Sequence, residues 1–152
     1  MRVRIVTVGK LRDKALASLC AELQKRLRPY HRLEIVEAAA SRVSDAAIAA
    51  REEGERILDR IAEPPIWLVD RDGTELGSMD LAQRVAALEQ AGTAQLTLIV
   101  GGTFGVSPAV RERAGFVWSL SKLTFLHEWA RAIVLEQLYR AAKINRGEPY
   151  HH

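Results

Sequence analysis

Two hydrophobic periods exchange with each other along the whole chain, and that exchange limits the fold more than any other feature. Five apolar runs of strand length, rich in β-branched residues, alternate with stretches in which apolar residues recur at three- and four-residue spacing. The runs are Val3-Arg-Ile-Val-Thr-Val up to Gly9, Leu33-Glu-Ile-Val-Glu, Ile66-Trp-Leu-Val up to Asp70, Gln95-Leu-Thr-Leu-Ile-Val and Phe116-Val-Trp-Ser-Leu. A first helix is expected from about Asp13, with Leu16, Leu19, Cys20, Leu23 and Leu27 on one face and Pro29 stopping it. A second spans residues 44–62 before Pro64-Pro65, and a third is capped by Ser78, carries Leu81, Val85 and Leu88, and ends at Gly92. Ser107-Pro108 opens a short fourth helix, and a long fifth runs from near Phe125 to Ile144. Asp72-Gly73 reads as a turn. Strands separated by helices need crossover connections, so the fold class is α/β, with a mainly parallel sheet flanked by helices.

At 152 residues and 48% hydrophobic composition, the chain can bury one substantial core, which makes residues 1–152 a single domain. No repeat or linker divides it. Cys20 is the only cysteine and reads as a buried thiol. The apolar stretch after Met1 is a strand's length, and no run reaches the roughly 18 apolar residues that a bilayer demands. A cytoplasmic protein without a membrane partner is expected. A formal net charge of +3 permits a polyanionic partner without requiring one. His31, His127, His151 and His152 lack the spacing of a metal site, so no metal is expected.

Four segments can carry chemistry. Gly101-Gly-Thr-Phe-Gly follows the fourth strand, where glycines let a ligand approach the backbone or simply serve a tight turn. It matches neither the dinucleotide glycine pattern nor a phosphate loop. Ser119-Leu-Ser-Lys-Leu-Thr-Phe-Leu-His127 interleaves hydroxyls with apolar residues, and either holds a ligand of mixed polarity or plugs the core and caps the last helix through Thr124. The final helix has an apolar stripe of Leu126, Trp129, Ala130, Ile133, Val134, Leu138 and Ala141, which Leu135 widens, as expected if the helix also meets another subunit. Glu136 and Arg140, one turn apart, have the spacing of a simple exposed ion pair. The tail Asn145-Arg-Gly-Glu-Pro-Tyr-His-His leaves the helix at Gly147 and ends in an aromatic and two imidazoles.

Together, Val100-Gly-Gly-x-x-Gly-x-Ser-Pro, Leu120-Ser-Lys-Leu-Thr-Phe-x-His127, Arg131, Glu136-Gln-Leu-Tyr-Arg-Ala and Gly147-x-Pro-Tyr-His151 resemble the ribosomal RNA large subunit methyltransferase H family of knotted SPOUT methyltransferases. Val8-Gly-Lys-Leu, Glu53-Gly-Glu-Arg-Ile-Leu and Val69-Asp70 extend the resemblance over the whole chain. It implies a SPOUT fold with a C-terminal trefoil knot, a homodimer, and S-adenosylmethionine bound at Val69, Gly101, Gly102, Gly105, Leu120, Ser121, Lys122, Leu123, Thr124, Phe125 and Leu126. The implied reaction is N3 methylation of a pseudouridine in large-subunit ribosomal RNA within the assembled ribosome, with the tail of one subunit completing the other's site. His127, Tyr150 and His151 are the candidates for handling the N3 proton, and the sequence does not choose among them. Lys10, Arg12, Arg131, Arg140, Lys143 and Arg146 are the candidate RNA contacts, and Tyr150 can stack on a base. Leu126 stands where the family commonly has proline, and His152 where a basic residue usually follows. Two rival readings are an RNA-binding protein that has lost its cofactor and a small-molecule enzyme on the same scaffold.

Overall fold

A computed structural model describes residues 1–150 of the chain. Its strands are β1 (Arg2–Val8), β2 (Arg32–Ala38), β3 (Ile66–Glu75), β4 (Gln95–Val100) and β5 (Phe116–Ser119). Its helices are α1 (Lys14–Leu27), α2 (Ala46–Leu58), α3 (Ser78–Gln90), α4 (Pro108–Arg113) and α5 (His127–Asn145). The strands form one sheet in the order β2-β1-β4-β3-β5, with every neighbouring pair parallel. The expected α/β class is therefore what the chain adopts.

The alternation within strands explains the three layers, because successive side chains point to opposite faces. Val3 and Ile5 of β1 join Trp67, Leu96, Leu98 and Trp118 in a core beneath α1, α3 and α5. Val6 and Val8 join Ile66, Leu68 and Ile99 in a second core against Ile57 of α2 and Val110 of α4. Helix starts follow cap chemistry: Asp13 Oδ1 accepts from Leu16 N at 2.9 Å, Asp45 Oδ1 from Ile48 N at 2.9 Å, and Ser107 Oγ from Val110 N at 3.4 Å. Cys20 is buried in α1, and burial pushes its thiol up.

Several boundaries differ from expectation for identifiable reasons. The cap of α3 is Gly77, whose N–H donates to Asp80 Oδ2 at 3.2 Å, while the Ser78 hydroxyl donates to Gln137 Oε1 at 2.9 Å and ties α3 to α5. α2 occupies less than the expected residues 44–62, with Asp45 setting its start. β3 does not end at Val69. Residues 70–73 bulge out of the ladder, which resumes as Thr74 pairs with Trp118 and Glu75 with Ser119. Gly73 is thus less a turn residue than a point of close approach, since a Cβ there would lie 2.5 Å from the Val117 carbonyl oxygen. Leu19, expected on the buried face of α1, is 45% exposed.

Candidate active site

Parallel strands end together at one edge, so the loops after β1, β4, β3 and β5 are neighbours there. Val69 is the last β3 residue before the bulge and is paired with Val100 on one side and Trp118 on the other. Beside it the glycine segment closes on itself, with Gly105 N donating to Gly102 O at 3.1 Å and the two residues forming an isolated bridge. Gly105 has φ +75 and faces open space, whereas a Cβ on Gly101 would lie 2.8 Å from Val106 Cγ1. On Gly102 a Cβ would meet Glu53 Oε2 at 2.8 Å and Val8 Cγ1 at 3.0 Å, so close packing inside the chain also requires glycine there. Residues 120–126 are shaped by Ser119 Oγ donating to the Ser121 carbonyl at 3.0 Å and Leu123 N donating to Ser121 Oγ at 3.1 Å. Thr124 does not cap α5; its hydroxyl accepts from Arg71 Nη1 at 3.4 Å, and the cap position is Leu126.

This edge suits a flat ligand with apolar and polar parts. The Thr103, Phe104, Thr124 and Phe125 amides have no acceptor among the described residues, and Phe104, Leu123, Phe125 and Leu126 are exposed around them. Main-chain donors bordered by apolar side chains can hold a purine and a carboxylate. Lys122 is exposed in the same loop, and Leu120 packs against the larger core.

His127 begins α5 at the same edge, close enough that a Cβ on Gly9 would lie 3.6 Å from its Nε2. Exposed Lys10 and Arg12 follow Gly9. Glu128 accepts from the Arg12 and Asp13 amides, which fixes the start of α1 to the start of α5 and draws the Glu128 carboxyl below its usual range. Arg131, one turn on, is not a surface cation. It is 2% exposed and donates to Glu37 Oε1 at 2.9 Å, Thr7 Oγ1 at 2.8 Å and the Gly9 carbonyl at 2.9 Å. Its guanidinium locks α5 to the ends of β1 and β2.

The remaining expected residues lie elsewhere. α5 has 19 residues, which at the helical rise of about 1.5 Å per residue places its two ends about 28 Å apart. Along its second half, Arg140 Nη2 pairs with Glu136 Oε1 at 2.8 Å, Lys143 is bonded to Glu148, and Arg146 lies 5.8 Å over the Tyr30 ring. Tyr150 folds back there, donating to Glu136 Oε1 at 3.2 Å and meeting the Tyr139 ring edge-on at 4.9 Å. Burial and the Glu136 carboxylate push the Tyr150 phenol up, so in this position it keeps its proton. His151 and His152 lie outside the described residues. One chain thus brings His127 to the cofactor loops and leaves Tyr150 against the middle of α5, about 14 Å along the helix from His127.

The widened stripe of α5 also resolves differently from expectation. Val134 and Leu135 are fully buried within the chain, between α1 and α3, whereas Leu126 and Trp129 are 69% and 50% exposed. With Leu123 and Phe125 they form an apolar patch around the start of α5.

Glu53 was not singled out by sequence reasoning. It is 5% exposed on α2, with Oε1 accepting from Ser41 N at 2.9 Å and Oε2 without a partner beneath Gly102. The signal available was Gly54, a glycine inside a helical pattern. A Cβ on Gly54 would lie 2.3 Å from Ser107 Oγ, so α2 packs directly on the start of α4 and carries Glu53 under the loop. Among the described residues no group of three or more His, Cys, Asp or Glu could hold a metal ion. No helix is long and apolar enough to cross a membrane.

Comparison with known proteins agrees with this arrangement. A family model described as "Predicted SPOUT methyltransferase" matches residues 1–151. The ribosomal RNA large subunit methyltransferase H of Gloeobacter violaceus is 47% identical, covering 100% of this chain and 99% of its own. The protein of the same name from Symbiobacterium thermophilum is 44% identical over 99% of both chains. A solved structure, a probable methyltransferase from Bordetella pertussis Tohama I, superposes with TM-score 0.57 at 14% identity, covering 93% of this chain and 96% of that one, a likeness of fold.

Proposed function

This chain belongs to the SPOUT methyltransferases, and within them to the ribosomal RNA large subunit methyltransferase H family, and from that premise we propose that it methylates N3 of a pseudouridine in large-subunit ribosomal RNA. It does so in the cytoplasm, on assembled ribosomes, as a homodimer with the C-terminal trefoil knot of its family. The observation that carries this reading is the meeting of Val69, the glycine segment 101–105 and residues 120–126 at the carboxyl edge of adjacent strands β4, β3 and β5. Free main-chain amides and exposed apolar side chains there match the purine, ribose and amino-acid parts of S-adenosylmethionine. When bound, that cofactor supplies an electrophilic methyl group on a sulfonium.

The chain's own residues then have to position the nucleobase and accept its N3 proton. His127 is at the cofactor edge and serves as proton acceptor directly or through water. Tyr150 is held against Glu136, about 14 Å along α5 from His127, and in that position does not share a nucleobase with it. A homodimer in which each tail serves the partner's loops removes that separation. The exposed patch of Leu123, Phe125, Leu126 and Trp129 supplies apolar surface for the second copy to cover. Lys10 and Arg12 flank this edge and are placed to meet phosphates, while Arg131 acts as a structural anchor.

The test is incubation with S-adenosylmethionine carrying a labelled methyl group and ribosomes from cells lacking this protein, followed by mapping of the labelled nucleotide. Label on N3 of one large-subunit pseudouridine is expected. Label confined to small molecules, or ribosome binding without cofactor binding, would instead support one of the two rival readings.

A further inference from the structure

The opposite edge of the sheet, where the strands begin, carries a cleft of about 720 Å³ bordered by Arg2, Arg28, Tyr30, His31, Arg32 and Gln95. None of the described residues lining it is acidic, while Glu89 beside that lining faces the Met1 ammonium at 4.0 Å and His31 at 3.6 Å. Arg2 and Arg32 are register partners in the parallel β1–β2 ladder, so two guanidinium groups start on the same face of neighbouring strands. Two residues further along that face the partners are Arg4 and Glu34, joined at 3.0 Å. The first pair lacks this compensation, and like charges side by side oppose folding unless something neutralises them. The Arg28 and Arg32 side chains make no hydrogen bond or ion pair with any described residue, and Arg2 has only a 3.4 Å contact to Gln95 Oε1. His31 behind it is 5% exposed, with Nδ1 facing Glu89 Oε1 at 3.6 Å and neither ring nitrogen within hydrogen-bond geometry.

We propose that this cleft grips a backbone phosphate of the ribosomal RNA, adding a second anchor remote from methyl transfer; the assignment to RNA rests on the function proposed above. Guanidinium groups without carboxylate partners are the donors that bind phosphate bidentately. The cleft also lies beside the tail. Tyr30 on its border meets the Tyr139 ring at 6.1 Å, Tyr139 meets Tyr150 at 4.9 Å, and Arg146 lies over Tyr30. In a dimer that passes each tail to the partner's loops, the cleft of the tail-donating subunit borders the same RNA. The target nucleotide and a neighbouring phosphate are then held by one continuous surface.

The test uses the full-length double variant Arg28→Gln/Arg32→Gln, with Arg113→Gln, exposed at the end of α4, as the comparison. The double variant should raise KM for ribosomes about tenfold and leave kcat and S-adenosylmethionine affinity unchanged. It should also flatten the dependence of log affinity on log salt by about 0.7 to 0.9, as expected when the contact to one phosphate is lost. Arg113→Gln should behave as wild type. Unchanged KM and salt slope in the double variant, with wild type transferring methyl groups normally, would overturn the cleft alone. Stabilisation of wild type by inorganic phosphate, lost in the double variant while ribosome KM stays constant, would assign the cleft to a free anion and also overturn the RNA contact. If wild type methylates no ribosomal RNA, the proposed function fails, and direct ribosome binding by the two variants still decides the cleft.

Discussion

Arg131 shows how a single residue can be found by its sequence and still be misplaced in role. A lone basic residue on a helix reads as a candidate RNA contact, because its partners Thr7, Gly9 and Glu37 are more than ninety positions away and only the fold brings them near. Arg131→Met leaves the Gly9 carbonyl and the Glu37 carboxylate without their donor. It should cost about 2–4 kcal/mol of stability, read as a lower urea midpoint, with little change in the salt dependence of ribosome binding. A variant as stable as wild type but weakened in ribosome binding would show that the guanidinium faces RNA after all. His31 offers a second test. Burial pushes its imidazole below the ordinary value of 6.5, with Glu89 pulling the other way and the Met1 ammonium and Arg146 adding to the depression. The unfolded chain therefore takes up this proton first, so the contribution is whole above pH 6.5 and is lost as the pH falls toward the depressed folded value. Urea midpoints should fall more steeply between about pH 7 and about pH 5 in wild type than in His31→Phe, and parallel profiles would contradict this.

Among the elements, the ones legible in sequence were those whose period and caps agreed. β1, β4 and the Ser107-Pro108 start of α4 stand where their residues put them, because β-branched runs and the cap-proline order act locally. β3 was less legible. Its return to pairing after residues 70–73 depends on Gly73 resting against the Val117 carbonyl, a contact between distant segments. Gly73→Ala should therefore lower the melting temperature by several degrees and loosen the Thr74–Trp118 pairing, visible as faster amide exchange in β5. An unchanged melting temperature would mean that the bulge relaxes freely. The outward face of α5 was misread in a similar way. Helical period distinguishes faces but not what covers them, so the widening of the stripe at Val134 and Leu135 points to a second subunit although both residues are buried within the chain. Trp129→Glu places a charge in the patch that is exposed. Sedimentation should then show monomers at concentrations where wild type is dimeric, and a dimer of undiminished affinity would place the interface elsewhere.

For the whole molecule, the loop segments that resemble the family, after β1, β3, β4 and β5, occupy one edge of one sheet, while its other segments lie on α2, along α5 and in the tail. That edge was legible because glycine, hydroxyl and apolar residues follow the ends of strands, where open α/β sheets bind ligands. Glu53 beneath the loop and the cationic cleft at the opposite edge were not, since both are made by residues that come together only after crossovers. The tail is the decisive element. Tyr150 folds back onto Glu136, nine residues or about 14 Å along α5 from His127, so a site containing both needs either a rearranged tail or a second chain. A purified mixed dimer tests this directly. One subunit carries Gly105→Arg, whose side chain starts in open space at the loop and blocks it without a core clash. The other lacks residues 150–152. Each homodimer should be inactive. If sites are shared, the mixed dimer pairs the intact loops of one subunit with the intact tail of the other, and should recover about half of wild-type methyl transfer to ribosomes. Complete inactivity of a mixed dimer that still binds S-adenosylmethionine would place the whole site within one chain.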